Sequence, residues 1–162
     1  EFQEKPWRHN GEHILIIGQH EIGISTQHLD IIQWWEETIQ EIKSVTNSPI
    51  KFRPHPNQKK FPQGEYQVTH DTTIEEDLEK CWCAVARTTN GAVDAIINGI
   101  PVITPDEGCM AYDVASHDIK DILCPATPDR TNWLAELGYS QWTIREMQKG
   151  LPWRHLRRFI NE

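Results

Sequence analysis

An α/β fold built on a mostly parallel sheet is predicted by three features of the chain. Short apolar runs recur, stretches with helical spacing separate them, and most runs end in glycine, proline or polar residues. Strands that are apolar throughout are buried on both faces. Their alternation with helices implies right-handed crossovers between parallel neighbours. The 162 residues are enough for one domain with a real core and short of two. A hydrophobic fraction of 38% with seven Trp suits a globular chain.

Residues 1–12 are polar, carry Pro6, Trp7 and Gly11, and read as a lead-in segment. His13 to Gly18 (HILIIG) is the first buried strand. A loop with Gly23, Ser25 and Thr26 follows. From Gln27 to Val45, Ile32, Trp35, Ile39, Ile42 and Val45 recur at helical steps, with Thr26 as the expected cap. Asn47-Ser48-Pro49 stops that helix. Ile50 to Arg53 is the second strand, broken by Pro54 and Pro56. Residues 57–65 read as a loop and 66–69 as a short edge strand. Thr73 and Glu76 form a capping box for a helix running to about Lys80. Residues 82–86 and 101–104 are strands around a helix at 91–98. Short helical pieces follow near 111–122, then at 130–137, 143–149 and 152–160. The division is a Rossmann-like domain over 13–125 with flanking helices, and a helical C-terminal tail over 126–162 packed on it.

Lys and Arg total 16 against 24 Asp and Glu, a net charge of −8. Such a chain lacks the broad basic surface that nucleic acid requires, so nucleic acid is not indicated. No run of about 18 apolar residues exists to span a membrane. Cys81, Cys83, Cys109 and Cys124 contain no C-x-x-C pair. They read as free buried thiols in a reducing cytoplasm. The chain opens at Glu1, not Met, and reads as a piece of something longer.

In open parallel sheets, ligands sit outside the carboxyl ends of the strands. The polar residues at those ends are therefore the candidates. Thr88-Thr89-Asn90-Gly91 opens a helix, where free N–H groups and the positive dipole end favour a phosphate; an ordinary N-cap is the plainer alternative. Asp94, one turn in, fits ribose hydroxyls or simply complements the dipole. In Arg53-Pro54-His55-Pro56, two prolines stiffen a strand-end histidine beside an arginine. That pair can hold a phosphate and protonate its leaving oxygen, or it is a solvent loop. Gly18-Gln19 offers close backbone approach and an amide, or is a turn. Asp106-Glu107 suits sugar hydroxyls or a solvated loop. No third ligand is placed beside this pair, so no metal and no cofactor are expected. The Trp residues of the tail read as packing. Trp153 to Arg158 is basic and aromatic and reads as a solvated helix face, with a partner or nucleic acid as the alternative.

The order of a strand, Arg53-Pro54-His55-Pro56, a strand and TTNGAVDAIINGIPVI at 88–103 resembles the nucleotide-sugar-binding C-terminal half of GT-B glycosyltransferases. The likeness is to capsule-polysaccharide and sialyltransferase-like enzymes and, through the tail, to glycosyltransferase-like proteins including those of phages. It implies metal-independent transfer of a sugar from a nucleotide donor. His55 and the Thr88-Thr89 pair would sit on the donor phosphate. With the residue readings above, this makes His55 the catalytic candidate. Gly18, Gln19, Arg53, Thr88, Thr89, Asn90, Gly91 and Asp94 become the nucleotide and phosphate candidates, and Glu107 a sugar contact. The family's acceptor half is not visible, and Asp106-Glu107-Gly108 copies its acidic-Gly motif in the wrong half. The expected partner beyond the nucleotide is thus a missing acceptor-binding half or a partner subunit. A non-catalytic nucleotide-binding module and half of a sugar-nucleotide epimerase are the alternatives.

Overall fold

Five residues of unbroken burial, β1 (His13–Ile17), form the centre of the sheet. The computed structural model describes residues 4–21, 23, 26 and 28–160. Around β1 the order is β3-β2-β1-β4-β5, every pairing parallel, with β2 at Ile50–Arg53, β3 at Gln67–Val68, β4 at Cys81–Val85 and β5 at Val102–Ile103. This is an α/β, Rossmann-like sheet.

The register aligns Ile14 with Ile50 and Cys83, and Ile16 with Phe52 and Val85. Those side chains share one face, and α1 (Ile31–Val45) covers it with Trp35, Ile39 and Ile42. From β1 to β2 the chain steps one way along the sheet, and from β4 through α3 (Gly91–Ile97) to β5 it steps the other. Two right-handed crossovers in opposite directions put their helices on opposite faces. A bulge at Trp82 interrupts the β1–β4 register and lets its indole N–H reach the Ile122 carbonyl at 2.7 Å.

Several boundaries differ from the sequence expectation. The first helix starts at Ile31, because the Asp30 carboxylate caps it by accepting from the amides of Ile32 and Gln33. Thr26 instead ties its own loop together, accepting from the Gly23 amide at 2.8 Å. Ser25 and Gln27, counted in the loop and at the helix start, lie outside the described residues. The predicted Thr73–Glu76 capping box is present at α2 (Ile74–Leu78), which ends two residues early in a turn with Lys80 at φ 60°. The lead-in is stitched to the domain, with the Arg8 amide donating to the Gly99 carbonyl at 2.7 Å. Only glycine fits at 99, where φ is +76° and a Cβ would fall 2.1 Å from the Pro6 carbonyl oxygen. Cys81, Cys83 and Cys109 are buried as expected, and burial pushes the Cys81 thiol up to about 12. Cys124 is exposed, because the 3-10 turn over Ile119–Leu123 ends there.

The chain divides into two compact units, Glu1–Pro128 and Asp129–Glu162. The second holds α4 (Thr131–Tyr139), α5 (Ile144–Gln148) and α6 (Leu151–Ile160), and α5 and α6 pack on each other. Among the described residues no helix is long and apolar enough to cross a membrane.

Candidate functional site

The strand order reverses between β1 and β4, and a doubly wound sheet opens its crevice at the carboxyl ends of such a pair. Gly18 and Gln19 leave β1 there. The Gly18 amide donates to the Arg53 carbonyl at 2.8 Å, and a Cβ at 18 would lie 2.8 Å from that oxygen and 3.2 Å from the His55 amide nitrogen. Glycine thus lets the β1 and β2 ends close on each other. Gln19 is buried, and its side-chain amide is spent across the crevice. Its Oε1 accepts from the Thr88 amide at 2.9 Å, and its Nε2 donates to the Thr88 hydroxyl at 3.1 Å. Two of the predicted ligand groups therefore hold each other and fix the mouth of the crevice.

The donors left over lie one residue further on. Ala92 donates to the Thr89 carbonyl and Val93 to the Asn90 carbonyl, while the Gly91 amide reaches the Thr89 hydroxyl at 3.4 Å. The Asn90 side chain is exposed and makes no capping bond. The amides of Thr89 and Asn90 find no acceptor among the described residues. Gly91 lets α3 come down onto β1, since a Cβ there would sit 2.8 Å from Ile17 Cγ2. Asp94, one turn in, is exposed on the side of Glu75 and Arg53. Partial desolvation and the Glu75 charge raise its pKa, and Arg53 opposes them.

Arg87 is a residue the sequence does not single out, and Asp106, read there with Glu107 as suiting sugar hydroxyls or a solvated loop, is its partner. The Arg87 Nη2 lies 3.0 Å from Asp106 Oδ2, and its guanidinium carbon lies 5.6 Å from the centre of the Trp34 ring. Its Nε is buried and has no hydrogen-bond partner among the described residues. Asp106 Oδ1 also accepts from the Gly108 amide at 2.9 Å, which bends the loop after β5 back toward Thr88. Glu107 beside it is exposed. Arg87 stands two residues after β4 and Asp106 three after β5, an offset readable from the sequence once those strands are known to be neighbours.

At the end of β2 the arginine and histidine take different partners. Arg53 Nη1 donates to the carbonyls of Thr72 at 3.0 Å and Thr73 at 3.2 Å, and is ion-paired to Asp77. The buried Asp77 carboxylate also accepts from the hydroxyls of Thr69 at 2.9 Å and Thr72 at 2.8 Å. His55 Nδ1 accepts from the Asn57 amide at 3.2 Å, so its neutral ring carries the proton on Nε2. Its ring meets His20 edge-on, with centroids 5.2 Å apart. His55 and Arg53 line a cleft of about 430 Å³ with Gln58, Phe61, His70 and Thr72. His20, Glu21, Asn57 and Lys59 line a neighbouring cleft of about 510 Å³. Arg53, His55, Gln19 and Thr88 thus stand at the carboxyl ends of three adjacent strands. Among the described residues, no three His, Cys, Asp or Glu come together as a metal site.

No family model matches this chain, and no curated protein matches it. Among solved structures, the crystal structure of S. aureus homoserine dehydrogenase at pH 6.5 aligns at 20% identity, with a TM-score of 0.35. The alignment covers 62% of this chain and 26% of that one. The fold assignment rests on strand order and burial.

Proposed function

We propose that the carboxyl edge of the sheet binds the phosphate of a nucleotide sugar, and that the chain is the donor-binding domain of a GT-B-like glycosyltransferase. The observation that carries the reading is the pair of consecutive amides at Thr89 and Asn90 that have no acceptor among the described residues. They lie beside the Thr89 hydroxyl and at a glycine that brings the backbone close. Main-chain donors at the start of a helix are what a phosphate oxygen accepts. The Gln19–Thr88 latch supports it by holding the mouth in one shape before ligand arrives.

His55 Nε2–H supplies a proton or a hydrogen bond to the departing phosphate oxygen, which splits off as the sugar transfers. Arg53 orders the β2 end and lends long-range positive charge. Asp94 receives ribose hydroxyls and Glu107 sugar hydroxyls. The acceptor and the base that deprotonates it come from a second half or a partner subunit.

Calorimetric titration with UDP, CMP, GDP and their sugars tests the reading. At least one nucleotide is expected to bind, and Thr89→Ala and His55→Ala should each weaken it by about 1–3 kcal/mol. Unchanged affinity in both variants removes the rim from the site. Tight binding without hydrolysis or transfer, even with a candidate acceptor half present, reassigns the chain as a nucleotide-binding module.

A further inference from the structure

The last helix carries features that the sheet edge does not use. Between Lys149 and Ile160 the sequence holds Lys149, Arg154, Arg157 and Arg158 and no carboxylate, although the chain as a whole carries −8. At 100° per residue, Trp153, Leu156 and Ile160 fall on one side of α6, with Phe159 at its edge where its ring meets His155, and the three arginines fall on another. Leu151, Pro152 and His155 form the half-buried side, where His155 meets Trp142 with ring centroids 5.7 Å apart. Within the second unit no neighbouring helix covers the apolar side: Trp153 is 62% exposed, Leu156 52%, Phe159 67% and Ile160 67%. On α5, which packs on α6, Ile144 is 75% and Met147 56% exposed.

We infer that α6 lies on an anionic phospholipid surface, with Trp153, Leu156, Phe159 and Ile160 in the headgroup boundary and Arg154, Arg157 and Arg158 on the phosphates. The charge chooses this occupant. Over these twelve residues the charge is purely cationic inside an acidic chain, so the local complement is an anionic surface. The apolar side argues against nucleic acid, whose phosphate backbone requires no exposed Trp, Leu, Phe and Ile. Aromatic and aliphatic residues on one side with arginines on the other are what an in-plane interfacial helix needs. Ten residues make a helix of about 15 Å, so the attachment is reversible. The inference is independent of what the sheet edge binds.

Co-sedimentation of the full chain with vesicles tests it. Phosphatidylcholine vesicles containing phosphatidylglycerol should pellet the protein, and phosphatidylcholine alone should not. Each arginine near the surface is worth about fivefold in partitioning, so Arg157→Gln with Arg158→Gln should weaken binding more than about tenfold. Leu156→Glu should abolish binding while leaving the circular dichroism of the chain unchanged. If Leu156→Glu alters the fold, Phe159→Ser serves as the second apolar variant. Failure of the anionic vesicles to pellet the protein overturns the inference. So does pelleting that ignores both substitutions. Self-association without vesicle binding assigns the apolar side to a second copy, and retention on single-stranded nucleic acid without vesicle binding assigns the arginines to that partner; either overturns it.

Discussion

Two corners of the same sheet edge are built from similar residues and end in opposite states. At the β2 end, Arg53, Asp77, Thr69 and Thr72 satisfy one another, and the backbone carbonyls of Thr72 and Thr73 accept what remains of Arg53 Nη1. At the β1–β4 mouth, Gln19 and Thr88 satisfy each other, yet the amides of Thr89 and Asn90 and the buried Nε of Arg87 have no acceptor among the described residues. A buried polar cluster whose members pair with one another stabilises the fold; a corner with leftover donors leaves them to water or to a ligand. Arginine and threonine at a strand end are therefore ambiguous by type. Their hydrogen-bond balance separates the two roles.

The largest expected effect comes from breaking the satisfied corner. Asp77→Ala strands Arg53 and two threonine hydroxyls against a buried site. Removing one partner of such a pair costs about 3–5 kcal/mol. Urea unfolding should show that loss, while nucleotide affinity of the protein that remains folded should not change. A variant of normal stability that no longer binds nucleotide would make the Asp77 carboxylate itself part of the site and erase the contrast.

Gly91→Ala sharpens the comparison from the other side. The added methyl would sit 2.8 Å from Ile17 Cγ2, so α3 must lift from β1 or Ile17 must leave its rotamer. Overpacking of that kind costs about 1–3 kcal/mol. Because the same shift moves the Thr89 and Asn90 amides, nucleotide affinity should fall together with stability. Loss of stability with full affinity would mean that those amides do not hold the ligand.

What the sequence reveals follows the same division. HILII and CWCAV are legible as central strands because both faces are buried, and strand ends locate the rim without coordinates. The capping box at Thr73 is local and equally legible. Asp77 is not: within Glu75-Glu76-Asp77 it looks like a solvated first turn, and only the pairing of β2 with β1 and β3 brings Arg53 and Thr69 to it. Arg87 and Asp106 are 19 residues apart in the chain, and their pairing depends on the β4–β5 adjacency. The helix start at Asp30 was hidden because Thr26 is just as able a cap by type. Exposed apolar residues on α6 are legible as amphipathic spacing, but whether a neighbour covers them is a question of packing.

The smallest effect is a pH slope at the amino end of β1, tied to the satisfied corner through the backbone of Asp77. His13 is buried at the start of β1, and its Nε2 lies 3.0 Å from the Asp77 carbonyl oxygen, so the neutral ring donates there. Burial lowers its pKa below 6.5, with the Asp77 carbonyl pulling the other way. The unfolded chain therefore binds more protons than the folded one between the lowered value and 6.5. The contribution of His13 to stability is complete above 6.5 and is lost as the pH falls through the lowered pKa. One proton allows a slope of at most about 1.4 kcal/mol per pH unit. His13→Gln should be less stable than the parent above 6.5, and the gap should narrow on acidification as the parent alone loses stability. A gap that stays constant across that window would mean that His13 binds protons equally well folded and unfolded, and that burial does not lower its pKa.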